Sequence, residues 1–129
     1  MTDIDTIAAE FAVRGLVARY AHVLDGRDRG GFLALFADDP VVTLNGTEYA
    51  GLPAIGGWYD LMAKGQPGIH MTTNTTVGIA GAAATARSDF LLMRKTDDGW
   101  KTLFGGSYAD RLEKRGGQWL FTRRDLTFA

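Results

Sequence analysis

A histidine and an aspartate are the residues of this sequence best suited to acid–base chemistry. His70 opens a segment of alternating side chains, and Asp25 ends a run with helical spacing. Because an imidazole titrates near neutrality, His70 can take a proton from a substrate, and a carboxylate partner fixes its tautomer and raises its basicity. The alternative is a structural histidine at a strand end. We predict a catalytic Asp25–His70 pair if the two segments meet.

Three further polar residues are candidates for binding a substrate. Tyr20 is either a hydrogen-bond donor to an oxygen that gains negative charge or a core aromatic residue. Asn74 shares a polar strand face with His70, and this face is either a pocket wall or a solvent-facing surface. Arg124 alternates with Arg123, so a regular strand turns one of them inward. An inward arginine holds an anionic group or pairs with an acid.

A long N-terminal helix has to position Asp25. Apolar residues recur at three- and four-residue spacing along residues 7–24. Asp25 lies four residues after Ala21, at the edge of the face that this pattern buries. A buried carboxylate without a partner is costly, which marks Asp25 as a candidate functional residue. Gly26 is predicted to end the helix.

The other elements predict an α+β fold in a single domain, residues 1–129. A second helix begins at Phe32 and ends at Ala37–Asp39, where Pro40 stops it, Asn45-Gly46 is a hairpin signal, and a third helix begins at Pro53. Gly105-Gly106 suits a bend or a close approach within a strand. Three helices on one face of a curved antiparallel or mixed sheet make a cone with a hollow end. Its long strands are predicted at residues 69–79, 82–95, 101–114 and 118–128.

Composition excludes several classes of function. Of 129 residues, 46% are hydrophobic and 22% charged, and the net charge of -1 offers no basis for binding nucleic acid. No apolar run approaches the roughly 18 residues that span a membrane, and the acidic start differs from a signal peptide, so we expect a cytoplasmic protein. With no cysteine and two histidines, His22 being predicted exposed, we expect no metal site and no cofactor.

The whole chain resembles the SnoaL-like group of the nuclear transport factor 2-like (cystatin-like) superfamily, whose members form an α+β cone with a pocket at the open end. The resemblance is carried by Val17–Asp28, Leu35–Asp39, Ile69–Asn74 and Gly105–Arg111, followed by Trp119. It is specific for the fold and much less so for the reaction, because this fold hosts enzymes and non-catalytic binders alike.

Resemblance to individual enzymes of the group sharpens the site. In hexachlorocyclohexane dehydrochlorinase the catalytic aspartate and histidine fall on Asp25 and His70, the pocket arginine on Arg124 and the catalytic lysine on Tyr20. Scytalone dehydratase is similar at Asp25 and His70. The oxyanion-binding tyrosine of ketosteroid isomerase falls on Tyr20, but its base aspartate falls near Leu44, which argues against steroid isomerisation by that mechanism.

Two functions follow from these observations. The first is a cofactor-independent lyase or isomerase, of dehydratase or elimination type, acting on a small apolar or aromatic substrate. His70, oriented by Asp25, is then the base, and Tyr20, Asn74 and Arg124 bind the group that gains charge. The alternative is a non-catalytic ligand-binding or assembly module, like a ring-hydroxylating dioxygenase small subunit.

The expected partners are a small-molecule ligand or substrate and further copies of the same chain. The apolar run Phe90–Met93 is typical of a strand covered on both faces. We therefore expect a homo-oligomer, a dimer or a trimer, with the outer face of the sheet buried between subunits.

Overall fold

A computed structural model of the chain describes residues 3–129; Met1 and Thr2, which begin the acidic start noted above, lie outside the described residues. Three helices and six strands make up the described part. In chain order they are α1 (Ile4–Asp25), α2 (Arg29–Leu33), β1 (Phe36–Leu44), β2 (Thr47–Ala50), α3 (Leu52–Met62), β3 (Ile69–Ala80), β4 (Ala83–Thr96), β5 (Gly99–Arg115) and β6 (Gln118–Phe128).

All six strands belong to one curved, open sheet with the order β2-β1-β6-β5-β4-β3. Strands β3 to β6 pair antiparallel in succession, whereas β1 pairs parallel with β6. The sheet is therefore mixed, and the predicted α+β architecture is confirmed. Helix α1 packs against β3 and β6, so it covers the concave face of the sheet.

Helix α1 buries the predicted apolar face only from Val13 to Leu24, whereas Ile7 and Phe11 of the same pattern are 47% and 76% exposed. Asp3 caps its first turn by accepting a hydrogen bond from the Thr6 backbone N–H at 2.8 Å. The helix ends at Asp25 with Gly26 as its cap, and His22 is exposed, as predicted. Its buried side chains are Val13, Leu16, Val17, Tyr20, Ala21 and Leu24.

The β1–β2 hairpin turns at Asn45-Gly46, as the sequence predicts. Both residues have positive φ, 47° at Asn45 and 88° at Gly46. This is the conformation of a type I′ turn, which matches the twist of the flanking strands and favours Asn-Gly.

The predicted second helix, from Phe32 to Ala37–Asp39, is wrong in its boundaries. The Asp28 side chain accepts a hydrogen bond from the Gly31 N–H at 2.9 Å, so helix α2 begins directly after Asp28 and ends at Leu33. Pro40 lies inside β1 rather than before it. The pairing of β1 with β6 is interrupted between Phe36 and Val41, where Pro40 has no ladder hydrogen bond to donate.

The Gly105-Gly106 pair marks a close approach between strands. A Cβ atom on Gly106 would lie 2.2 Å from the carbonyl oxygen of Thr127 on β6. On Gly105 it would lie 2.9 Å from the carbonyl oxygen of Phe90 on β4. Two strands therefore approach β5 where only glycine fits, which confirms the close approach suggested by the sequence.

Within residues 3–129, no helix combines the length and the hydropathy needed to cross a membrane.

Candidate functional site

A cavity of about 370 Å³ opens between α1, α3 and the concave face of the sheet. This volume suits a small organic molecule. Its wall is largely apolar, and its polar side chains include Asp25 and His70. The aromatic side chains in the wall are Tyr20, Trp58, Phe90, Phe104, Tyr108 and Phe128.

The structure brings Asp25 and His70 together at this cavity. One carboxylate oxygen of Asp25 accepts the backbone N–H of His70 at 2.8 Å, and the other lies 2.5 Å from the His70 ring atom Nδ1. The side chains are 19% and 12% exposed, so solvent reaches both only in part. The end of α1 and the start of β3 are thus joined through a single carboxylate.

This contact fixes which ring nitrogen carries the proton in neutral His70. A carboxylate only accepts hydrogen bonds, so Nδ1 must be the donor and Nε2 keeps its free electron pair. Nε2 makes no hydrogen bond with any residue in the range 3–129. A histidine held by its Nδ1–H and open at Nε2 can accept a proton at Nε2.

Arg124 is buried beneath the cavity rather than in its wall. Its Nε donates to Asp110 Oδ1 at 2.9 Å, and both side chains are fully buried. Its guanidinium carbon lies 4.0 Å from the ring centroid of Tyr20 and 3.6 Å from that of Tyr108. Arg124 therefore pairs with an acid, which corrects its predicted contact with substrate. Its guanidinium also makes cation–π contacts with Tyr20 and Tyr108, the two rings that we call the cavity floor.

Tyr20 and Tyr108 keep their phenolic protons over the physiological pH range. Burial raises the pKa of Tyr20 to about 12, although the Arg124 charge opposes this shift. Burial also raises the pKa of Tyr108. Burial is the largest single influence on Arg124 and alone would lower its pKa, but attraction to Asp110, the hydrogen bond to Asp110 and the adjacent tyrosines together outweigh burial and raise the pKa above its ordinary value. The floor therefore combines neutral hydroxyls with a paired cation.

Asn74 lies away from the cavity, which corrects its predicted place in the pocket wall. The register between β3 and β4 shifts between Thr73 and Thr76, and Asn74 has a φ of 56°. This bulge interrupts the alternation that put Asn74 on the face of His70. Its side-chain amide instead donates to Asp89 at 3.0 Å, and this bond and one from Ser107 lower the pKa of Asp89.

Four polar residues in the cavity wall were missed by the sequence analysis: Arg27, Gln66, Arg94 and Tyr108. Tyr108 stands in the Gly105–Arg111 segment used for the family resemblance, which was the available signal. Arg94 alternates with Phe90, another cavity residue, and this spacing also places it on the inner face. Nothing in the local sequence indicates that Arg27 lines the cavity. Its position depends on a φ of 57° in the loop after α1, a conformation that the sequence does not signal.

No three side chains of His, Cys, Asp or Glu within residues 3–129 converge as metal ligands would.

Comparison with known proteins identifies relatives of this fold. A family model described as a SnoaL-like domain matches residues 5–125. None of the curated proteins matches the sequence. Among the solved structures that match, one is described as a nuclear transport factor 2-like protein with a cystatin-like fold.

Three solved structures illustrate the range of proteins that share the fold. A variant of Rv3472, a protein of unknown function from Mycobacterium tuberculosis, is 32% identical with a TM-score of 0.90, over 100% of this chain and 77% of that one. A putative scytalone dehydratase from Novosphingobium aromaticivorans is 22% identical (TM-score 0.84; 95% and 85% covered). From the same organism, the β subunit of a putative aromatic-ring-hydroxylating dioxygenase is 20% identical (TM-score 0.77; 94% and 89% covered). The last two likenesses show the fold alone.

The buried Tyr20 hydroxyl predicts a specific loss of stability in alkali. Because unfolded tyrosine ionises near pH 10 and folded Tyr20 near 12, the folded state binds more protons between these values. The free energy of unfolding should therefore fall with rising pH in this window, by about 2 to 3 kcal/mol from Tyr20 alone. Denaturant unfolding of wild type and Tyr20→Phe at several pH values measures this fall.

Tyr20→Phe should show a shallower alkaline decline and no loss of stability at pH 7. The Tyr20 hydroxyl has no hydrogen-bond partner among the described residues, so its removal leaves no group newly unpaired. An equally steep decline in Tyr20→Phe, or a marked loss at pH 7, would contradict this account of the cavity floor.

Proposed function

The chain belongs to the SnoaL-like domain family, and from this premise we propose that it is a cofactor-independent lyase or isomerase of dehydratase or elimination type. Its substrate is a small apolar or aromatic molecule, which His70 deprotonates. The observation that carries the proposal is the pair of hydrogen bonds from His70 to Asp25 at an aromatic-lined cavity, with Nε2 left free.

The proposed reaction needs only proton transfers. Nε2 of His70 removes a proton from a carbon next to a carbonyl group, and the electron pair forms a carbon–carbon double bond as a β-hydroxyl leaves. The imidazolium returns its proton to the leaving hydroxyl, which departs as water. Asp25 stabilises the imidazolium while it exists. Tyr108, a neutral donor in the cavity wall, is placed to serve the carbonyl oxygen as it gains charge.

A synthetic substrate tests this reaction class. In 3-hydroxy-1-tetralone, an acidic carbon lies between a carbonyl and a hydroxyl-bearing carbon, and loss of water yields fluorescent 1-naphthol. Wild-type protein should accelerate either this elimination or, in D₂O, deuterium exchange at the acidic carbon. His70→Gln should lower that rate by at least about 100-fold, which is the usual contribution of a positioned base.

His22→Gln is the matched control, because His22 is exposed on α1 and outside the cavity. It should keep the wild-type rate, and circular dichroism should show all three proteins folded. Full activity in His70→Gln, or equal losses in both variants, would overturn the role of His70. If wild type catalyses neither reaction, the proposed reaction class fails for substrates of this type.

We further propose that the protein works as a single cytoplasmic domain that assembles with copies of itself, as a dimer or a trimer. The outer face of the sheet supports self-assembly, because Leu91 and Trp100 are 46% and 55% exposed there. They belong to one apolar patch formed by Ile69, Met71, Leu91, Met93 and Trp100. Such a patch is typical of a surface that another protein covers.

The same patch favours the second candidate function, a non-catalytic assembly module. A dioxygenase β subunit shares the fold, and a protein with that role would hold the patch against a larger iron-containing partner. Purification of the protein distinguishes the two candidate functions. An enzyme should purify alone as a homo-oligomer, whereas a subunit should purify with its partner.

A charge in the patch should break the oligomer. Leu91→Lys places an ammonium group on the face that we propose is buried between subunits, where an unpaired charge is costly. Light scattering should show a multiple of the monomer mass for wild type and the monomer mass for Leu91→Lys. Phe11→Lys is the control, since Phe11 is 76% exposed on α1 and lies outside this patch. A monomeric wild type, or an unchanged mass in Leu91→Lys, would contradict self-assembly through this face.

A further inference from the structure

The charged side chains in the cavity wall carry a net positive charge. Arg27, Arg94 and Asp25 line the cavity, so two guanidinium groups face one carboxylate. Both oxygens of Asp25 are already engaged by His70. Neither arginine forms an ion pair with the one acid of the wall, and two positive charges exceed its single negative charge, so the cavity attracts anions.

The Arg94 side chain makes no hydrogen bond and no ion pair with any residue in the range 3–129. It is half-buried, and the cavity residues Phe90 and Leu92 precede it on the same face of β4. A guanidinium carries five donors in a rigid plane that matches a carboxylate. An arginine that lines a cavity without an acceptor is therefore suited to hold an anionic part of a ligand.

Arg27 adds positive charge without a carboxylate partner of its own. Its side chain donates to the sulfur of Met62 at 2.8 Å and to the carbonyl oxygen of Gly65 at 3.3 Å, and both acceptors are neutral. Nearby acids are engaged elsewhere, since Asp28 caps α2 and Asp60 pairs with Arg29. Arg27 thus strengthens the positive potential that Arg94 provides.

The register of the sheet places Arg94 close to the proposed base. His70 on β3 pairs with Leu92 on β4, and Arg94 follows two residues later on the same face. Diagonal neighbours of this kind have backbones about 7 to 8 Å apart. One ligand of bicyclic size can therefore contact both Nε2 of His70 and the guanidinium of Arg94.

We propose that the ligand is a small aromatic or alicyclic carboxylate, whose anionic group binds Arg94 while its apolar body packs against Phe90 and Phe104. This inference rests on the proposed function, because it assigns a substrate class to the same cavity. It adds that charge recognition at Arg94 orients the ligand, so that the carbon to be deprotonated faces His70.

Binding of 2-naphthoate and its neutral analogue 2-naphthamide tests the proposal without turnover. NMR signals of the His70 ring report binding in the cavity, and those of the exposed His22 report non-specific binding. In wild type, 2-naphthoate should bind about fivefold more tightly than 2-naphthamide, as expected for one partly exposed ion pair. In Arg94→Gln this preference should disappear, with 2-naphthamide binding unchanged.

Arg87→Gln is the matched control, because Arg87 is exposed on β4 and lies outside the cavity. It should keep the fivefold preference. Equal binding of both probes to wild type, an undiminished preference in Arg94→Gln, or no response of His70 to either probe would overturn the inference. These binding results do not depend on catalysis, so a failure here is distinguishable from a failure of the elimination assay.

Discussion

The contact between Asp25 and His70 is the constraint on which the site depends. A carboxylate at the end of a helix that packs on the sheet loses much of its hydration, and this cost is offset only by hydrogen bonds. Asp25 makes two of them, to the backbone and to the ring of the same residue. One side chain thereby joins α1 to β3, selects the tautomer of His70 and leaves Nε2 without a hydrogen-bond partner among residues 3–129.

A second buried pair, Arg124 with Asp110, supports the cavity from below. Taking two charges out of water is expensive, and their short contact together with the rings of Tyr20 and Tyr108 offsets that cost. The rings of Tyr20 and Tyr108 thus line the cavity while each is in contact with the Arg124 guanidinium. Of the two pairs, Asp25–His70 lines the cavity, and Arg124–Asp110 lies outside its lining.

The sequence predicts those parts of the site that depend on local periodicity or on the family resemblance. These parts are the helix that carries Asp25, the position of His70 and the long strands. It misplaces Asn74 because a bulge with positive φ changes the face of a strand without any local signal. It left two possibilities for Arg124 because the register that sets Asp110 opposite it is a tertiary property. Asp28 caps α2, a role that an aspartate directly before a helix signals locally.

The tautomer of neutral His70 is the most direct test of this account. Nitrogen-15 NMR distinguishes a protonated from an unprotonated ring nitrogen, and His22 in the same spectrum is an internal reference that lacks a carboxylate partner among the described residues. At a pH where both rings are neutral, wild type should show His70 protonated at Nδ1 and free at Nε2. In Asp25→Ala, which removes both acceptors, the spectrum of His70 should approach that of His22. A His70 ring protonated at Nε2 in wild type, or one unaffected by Asp25→Ala, would contradict the claim that Asp25 prepares His70 as a base.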